Sequence, residues 1–229
     1  MKRERPKPKS DPAFQKLVDQ LWENDVDRID ESAIRLNWQG NLEKTKLRTF
    51  RVIRKKTKKT FDEFRKRMFD FWFGTYSRCE QDVDSEPLGS SGFEHVFSGE
   101  WKDGSGVYGH HNWLRYYLQE KAGEINYYGY FEHQNNNILG AFQYEWKGYL
   151  KRIGGFFFRT SPAFDFTLFT VCSILHPGYE ACQFELLNTK MVVTSFKKIV
   201  TRERVCQQLT LHYCWIIYFD ALFLFFFKL

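Results

Sequence analysis

Two histidine positions and one lysine frame the chemistry open to this chain. His95 lies in SGFEHVFSGEW (91–101), between Glu94 and Glu100; the pair His110 and His111 follows a glycine-rich stretch, and Lys151 closes GYLK. Two imidazoles and a cation are the smallest set that cleaves RNA without a cofactor performing the chemistry. One ring takes the proton of a ribose 2′-OH as its oxygen attacks phosphorus, the other protonates the departing 5′-oxygen, and the cation stabilises the phosphorane. Histidine suits both roles because its unperturbed pKa is about 6.5. Glu94 and Glu100 can orient an imidazole or contact a metal, so a metal set of His95, Glu94 and Glu100 competes with the catalytic reading, as does a buried strand with an incidental polar residue. HExxH, GxxxxGK[ST] and GxSxG are absent, which leaves zincin chemistry, nucleotide hydrolysis and the serine hydrolase elbow without support.

The elements that must position these residues follow from periodicity and caps. FEHVF (93–97) is apolar and β-prone and predicts a short strand, with Glu94 and Val96 on one face and Phe93, His95 and Phe97 on the other. QDVDSEPLGSSG (81–92) predicts a surface loop and KDGSGVYG (102–109) a flexible turn. Asn112 caps a helix, WLRYYLQEKAG, that stops at Gly123, which leaves His110 and His111 at a helix N-terminus where N–H groups favour an anion such as phosphate. Upstream, Asp11 to Leu36 predicts one or two amphipathic helices burying Phe14, Leu17, Val18, Leu21 and Trp22. Residues 37–59 predict a loop or strand-like basic connection, and Thr60 caps a helix with a stripe of Phe61, Phe64, Met68, Phe71 and Trp72. Downstream, EINYYGYF, FQYEWKGYL and IGGFFFR predict strands. Ser161-Pro162 opens a helix with Asp165 in its first turn and Phe164, Leu168, Val171, Cys172 and Leu175 facing inward, and CQFELL and MVVTSFKKIV predict two more strands. Helices first and strands later, without regular βαβ alternation, give an α+β class.

With 229 residues the chain can build one substantial core, and 19% aromatic residues exclude a disordered protein. The net charge of +6 is concentrated: Lys44 to Arg67 holds twelve basic residues against Asp62 and Glu63. A block of this kind suits a polyanion, with Arg54, Lys55, Lys56, Lys58 and Lys59 as RNA-binding candidates and a solvated linker as the alternative. The opening MKRERPKPKS has no apolar segment of a secretory signal. Five cysteines without CxxC, an odd count, favour a reducing intracellular compartment and free thiols, with Cys172 a small buried hydrophobe.

GSSGFEHVFSGEW (89–101), GHHNWLRYYLQEKAGEINYYGY (109–130) and WKGYLKRIGGFFFRTSPAFDFTLFTVC (146–172) occur in this order, and together they resemble the poly(U)-specific endoribonuclease family, the EndoU or placental-protein-11-like enzymes, with the coronavirus uridylate-specific endoribonuclease as a distant relative. The resemblance is weak over 12–36, good over 61–79 and strong from 88 to about 196. It implies a helical N-terminal lobe followed by a catalytic lobe of antiparallel strands with packed helices. It assigns His95 and His111 as paired acid and base, in an order left open, and Lys151 as the third member, with Glu94 and Glu100 as supporting acidic residues. It implies cleavage of single-stranded RNA at uridylates, stimulated by Mn²⁺ or in some members Ca²⁺, leaving a 2′,3′-cyclic phosphate; this is formally a lyase. It further implies a monomer with no nucleotide cofactor. The residue directly before Asn-Trp is the one that matches, so His111 is preferred to His110, which is read as an exposed loop residue. Lys147 is read as solvated, and His133, His176 and His212 as bystanders.

These readings divide the chain into a basic tail (1–10), an endoribonuclease domain (11–200, with a helical part 11–79 and a catalytic part 80–200) and an apolar tail (201–229). The Gly-Thr-Ala-Tyr-Pro-like ending of the family is absent. The tail is expected to leave the last strands unbuilt, and a membrane anchor over 209–227 is less favoured because Asp220 interrupts it.

Overall fold

The computed structural model describes residues 11–40, 60–77, 89–102, 106–134, 136–176, 182–199 and 211–219. The basic tail, Arg54, Lys55, Lys56, Lys58 and Lys59, and residues 201–210 and 220–229 lie outside the described residues.

Four helices begin where side-chain caps dictate. In α1 (Pro12–Glu23) the Asp11 carboxylate accepts from Ala13 N–H at 2.9 Å and Pro12 fills the first turn. In α2 (Phe61–Phe73) Thr60 and Glu63 form a reciprocal capping box. Asn112 accepts from Arg115 N–H at 3.0 Å to start α3 (Trp113–Lys121), and Ser161 accepts from Phe164 N–H at 3.0 Å to start α4 (Pro162–Leu175).

Antiparallel pairing joins all the strands. Short β1 (Tyr76–Ser77) and β2 (Gly89–Ser90) form one ribbon, and β3 (Glu100–Lys102) and β4 (Gly106–Tyr108) another. A meander of β5 (Ile125–His133), β6 (Leu139–Trp146) and β7 (Tyr149–Phe157) forms the first three-stranded sheet. The second has the order β10-β9-β8, from β8 (Cys182–Leu186), β9 (Thr189–Ile199) and β10 (Leu211–Phe219).

Alternation along β6 and β7 divides the interior in two. Phe142, Tyr144, Phe156 and the following Phe158 pack with Trp113 and Tyr116 of α3, whereas Leu139, Ala141 and Phe157 face Phe14 and Val18 of α1, Trp72 of α2, Phe164, Leu168 and Phe169 of α4, and Phe184 and Met191 of β8 and β9. The β6–β7 pair thus carries aromatic side chains into both cores.

Four expectations are corrected. FEHVF is not a strand: Gly92 and Phe93 start a helical turn that widens to a π turn over Glu94–Ser98, closed by Gly99 N–H to the Glu94 carbonyl at 2.8 Å. Ser91 caps it, accepting from Glu94 N–H at 3.2 Å, so Ser91-x-x-Glu94 is a helix-start signal that overrides the β propensity of the apolar residues. Periodicity places α2 correctly, but only Trp72 of its aromatic stripe is buried; it docks on α4, donating to Thr170 Oγ1 at 2.8 Å and stacking on Phe166, while Phe61 and Phe64 are exposed. Cys172 is not a free thiol but is disulfide-bonded to Cys182, which ties α4 to β8. Finally, the apolar tail builds a strand: β10 pairs with β9 from Leu211 opposite Ile199 to Phe219 opposite Met191. Among the described residues no helix is long and apolar enough to cross a membrane.

Candidate active site

The π turn and the loop before α3 are locked together through their backbones. His110 N–H donates to the His95 carbonyl at 2.6 Å and His111 N–H to the Val96 carbonyl at 2.8 Å. The loop can approach this closely because Gly109 sits at φ 58°, and a Cβ there would lie 1.9 Å from the His95 oxygen. The result places the His95 and His111 rings with centroids 5.6 Å apart.

Each ring is oriented by an acceptor. His95 Nδ1 lies 3.0 Å from Glu100 Oε1, and the other oxygen of Glu100 accepts from the Ser90 hydroxyl. His111 Nδ1 lies 3.0 Å from the Gly155 carbonyl. Carboxylates and carbonyls only accept, so both rings carry their proton on Nδ1, and Nε2 is the nitrogen that exchanges a proton with a ligand. Burial pushes the pKa of His111 well below its usual value, with the Lys151 charge adding to the effect, so the ring is neutral and Nε2 is a base near neutral pH.

Lys151 comes from β7, three residues before Gly154, and its ammonium donates to the Gly109 carbonyl at 2.5 Å. One strand thereby supplies the cation and, through Gly155, the acceptor that orients His111. Glu94 is half-buried in the π turn, and its carboxylate makes no hydrogen bond among the described residues. Sequence reasoning brought together His95, His111, Lys151 and Glu100, all of which converge. It missed Ser90, Gly109 and Gly155; the GG pair of IGGFFFR, which permits a close approach of another backbone, is the signal that marks Gly155.

His110 is corrected from exposed loop residue to fully buried side chain. Its Nδ1 lies 2.6 Å from the Tyr144 hydroxyl, and with the Gln119 amide nitrogen donating to Nε2 at 2.9 Å, the amide oxygen accepts from Trp146 Nε1 and Arg115 Nε, each at 3.2 Å. Both ring nitrogens are thus committed to the protein. Burial, with Lys151 and Arg115 nearby, pushes its pKa down to about 3. Lys147 is exposed in the β6–β7 turn beside Glu124, and His133 stacks on Trp38 away from the site. The side chain of His212 lies outside the described residues.

Among the described residues no three of His, Cys, Asp and Glu converge to hold a metal ion. Both oxygens of Glu100 bond to protein donors, so the set His95, Glu94 and Glu100 does not fit a resident metal, and no step below is routed through one.

Comparison with known proteins decides the family. The family model described as Endoribonuclease XendoU matches residues 44–209, well over half of the sequence. The chain belongs to the XendoU endoribonuclease family. It is 41% identical over 138 residues to uridylate-specific endoribonucleases of Bos taurus and Homo sapiens, covering 58% of this chain and 32% of each relative. It is 44% identical over 117 residues to uridylate-specific endoribonuclease D of Xenopus laevis, covering 50% of this chain and 36% of that protein. The chain therefore spans about a third of the length of these curated relatives. The solved structure of XendoU, described as a splicing-independent snoRNA processing endoribonuclease, superposes with a TM-score of 0.63 at 20% identity, over 92% of this chain and 99% of that one. That superposition establishes the XendoU fold for the helices and antiparallel sheets described above.

Proposed function

We propose that this chain is an endoribonuclease that cleaves single-stranded RNA on the 3′ side of uridylates and leaves a 2′,3′-cyclic phosphate. The observation that carries the reading is the convergence of His95 and His111, rings 5.6 Å apart, at a strand that presents Lys151. Neutral His111 takes the 2′-OH proton on Nε2 as O2′ bonds to phosphorus. The Lys151 ammonium stabilises the charge on the phosphorane oxygens, and His95, acting as an imidazolium whose Nδ1–H is held by Glu100, delivers its Nε2 proton to O5′ as the P–O5′ bond breaks. The products are the cyclic phosphate and a 5′-hydroxyl, and the base and acid restore each other's protonation through solvent. Arg54, Lys55, Lys56, Lys58 and Lys59 supply phosphate contacts in this reading. Stimulation by Mn²⁺ or Ca²⁺ is part of the test rather than of the mechanism.

A second reading, an RNA-binding relative without turnover, draws on one observation: His95, His111 and Lys151 are only 2, 3 and 7% exposed, so a phosphate must displace protein to reach them. Incubating the chain with a uridine-containing ribo-oligonucleotide and its 2′-deoxyuridine counterpart, with and without Mn²⁺, separates the two. Cleavage of the ribo form alone, leaving a cyclic phosphate, supports the endoribonuclease. Intact RNA bound by folded protein supports the binder.

A further inference from the structure

Helix α2 carries a face that its own packing leaves unused. Phe61 is 77% exposed and Phe69 63%, and Phe64 and Phe73 are exposed as well. Residues three and four apart are neighbours on a helix, so Arg65, Phe69 and Phe73 form one row with Lys66 beside it. The Phe69 and Phe73 rings are 5.2 Å apart. The row continues toward the candidate active site: Phe73 stacks on Phe93 at 5.3 Å, and Phe93 immediately precedes the π turn that carries His95.

The charge on this face is as informative as its rings. Arg65, Lys66 and Arg67 are exposed. Of the acidic residues on the helix, Glu63 is occupied by the capping box, Asp62 lies 3.6 Å from Arg65, and Asp70, exposed beside Phe69, is outnumbered by Arg65, Lys66 and Arg67. Flat apolar rings interleaved with cations fit one class of partner, a strand of nucleic acid with unstacked bases: each base has a face to lay on a ring, and each phosphate meets an Arg or Lys. A duplex offers no such faces, and a purely apolar protein surface would leave the cations unmatched.

We propose that the Arg65–Phe69–Phe73 row is a docking surface for the single-stranded RNA that flanks the cleaved phosphodiester, with bases on Phe69 and Phe73 and phosphates on Arg65 and Lys66. The direction of the strand toward His95 rests on the endoribonuclease reading; the binding itself does not.

The test uses the full chain and fluorescence anisotropy with 2′-deoxyuridine oligonucleotides of about four and about twelve nucleotides, lengths that bracket a short and an extended single-strand site. Without a 2′-OH these probes are not cleaved. The expected result is tighter binding of the longer probe, weakened roughly tenfold in Phe69→Ala/Phe73→Ala, with the shorter probe bound as by wild type. In Arg65→Ala/Lys66→Ala the salt dependence of the longer probe becomes shallower. The proposal is overturned if the double phenylalanine variant binds both probes as wild type does. It is equally overturned if sedimentation shows that the row holds two copies of the chain together and the variant only separates them. Because the probes report binding without turnover, a chain that fails to cleave RNA yet shows the length-dependent loss defeats the endoribonuclease reading and leaves this surface standing. A chain that cleaves but shows no such loss does the reverse.

Discussion

Adjacent histidines on one loop end in two different regions. His110 turns at φ 61° into an aromatic core, stacks on Trp146 at 4.9 Å, and has a partner on each nitrogen. His111 turns toward the π turn, gives only Nδ1 to the Gly155 carbonyl, and faces His95. Both are buried and both are held neutral, so neither burial nor a lowered pKa distinguishes a chemical histidine from a structural one. The hydrogen-bond inventory does: a ring with both nitrogens committed to the protein has no site left to exchange a proton with a substrate. The lesson extends to Lys151, whose charge depresses both rings while its bond to Gly109 fixes the loop that carries them.

The sharpest way to break this contrast is kinetic. His111→Ala and His95→Ala are each expected to lower turnover on a uridine-containing ribo-oligonucleotide by about 10²–10⁴-fold, measured by product formation in single-turnover reactions. Lys151→Ala is expected to cost about 10²–10³-fold, the size of removing one stabilising group from the transition state. Equal activity of any of these variants and wild type would place the chemistry elsewhere.

Stability should answer in the opposite order. Replacing His110 by Phe keeps a ring in the aromatic core but strips the Tyr144 hydroxyl and the Gln119 amide of a partner, a cost of about 1–3 kcal/mol in denaturant unfolding. Reducing the Cys172–Cys182 bond, which ties α4 to β8, is expected to cost about 2–4 kcal/mol in the same measurement.

A further effect concerns pH. Folded His110 stays neutral down to about pH 3, whereas the unfolded ring protonates near pH 6.5. The unfolded chain therefore binds more protons between those values, and stability is full above about pH 6.5 and falls as the pH drops below it. The slope from this one ring is roughly 1.4 kcal/mol per pH unit, with His111 adding in the same direction. Unfolding curves of His110→Phe between pH 4 and 7 should be flatter than wild type by about that amount; an unchanged slope would mean that His110 is solvated or charged in the fold. The smallest change is expected at Asp165, fully buried in the first turn of α4, where burial pushes the carboxyl pKa well above its usual value. Burial disfavours the charged form of this carboxyl, and an amide matches its neutral form in shape, so Asp165→Asn should alter the melting midpoint little.

Legibility in the sequence followed the range of the forces involved. Caps and short periodic stripes are local, and Asp11, Thr60, Asn112 and Ser161 mark the starts of the four α-helices among the described residues. The candidate site residues His95, Glu100, His111 and Lys151 could be picked out because they are chemically distinctive and fall in motifs with a family likeness. The π turn was missed because Phe93, Val96 and Phe97 carry strand propensity, while the deciding cap at Ser91 is a single hydrogen bond. The disulfide and the β9–β10 pairing are tertiary: nothing in the spacing of five cysteines names Cys182 as the partner of Cys172, and an uninterrupted apolar run such as LHYCWIIYF has no period that separates a strand from a membrane span. The fate of His110 was equally hidden, since its partners Gln119, Tyr144 and Trp146 lie on α3 and β6.

The most direct measurement compares the two neighbours in one assay: turnover per folded molecule of His110→Phe and His111→Ala on the same uridine-containing ribo-oligonucleotide, with folding checked by unfolding curves. The division of labour described above predicts a loss of at least about 10²-fold for His111→Ala and activity within about tenfold of wild type for His110→Phe. Retained activity in His111→Ala, or a collapse confined to folded His110→Phe, would contradict it.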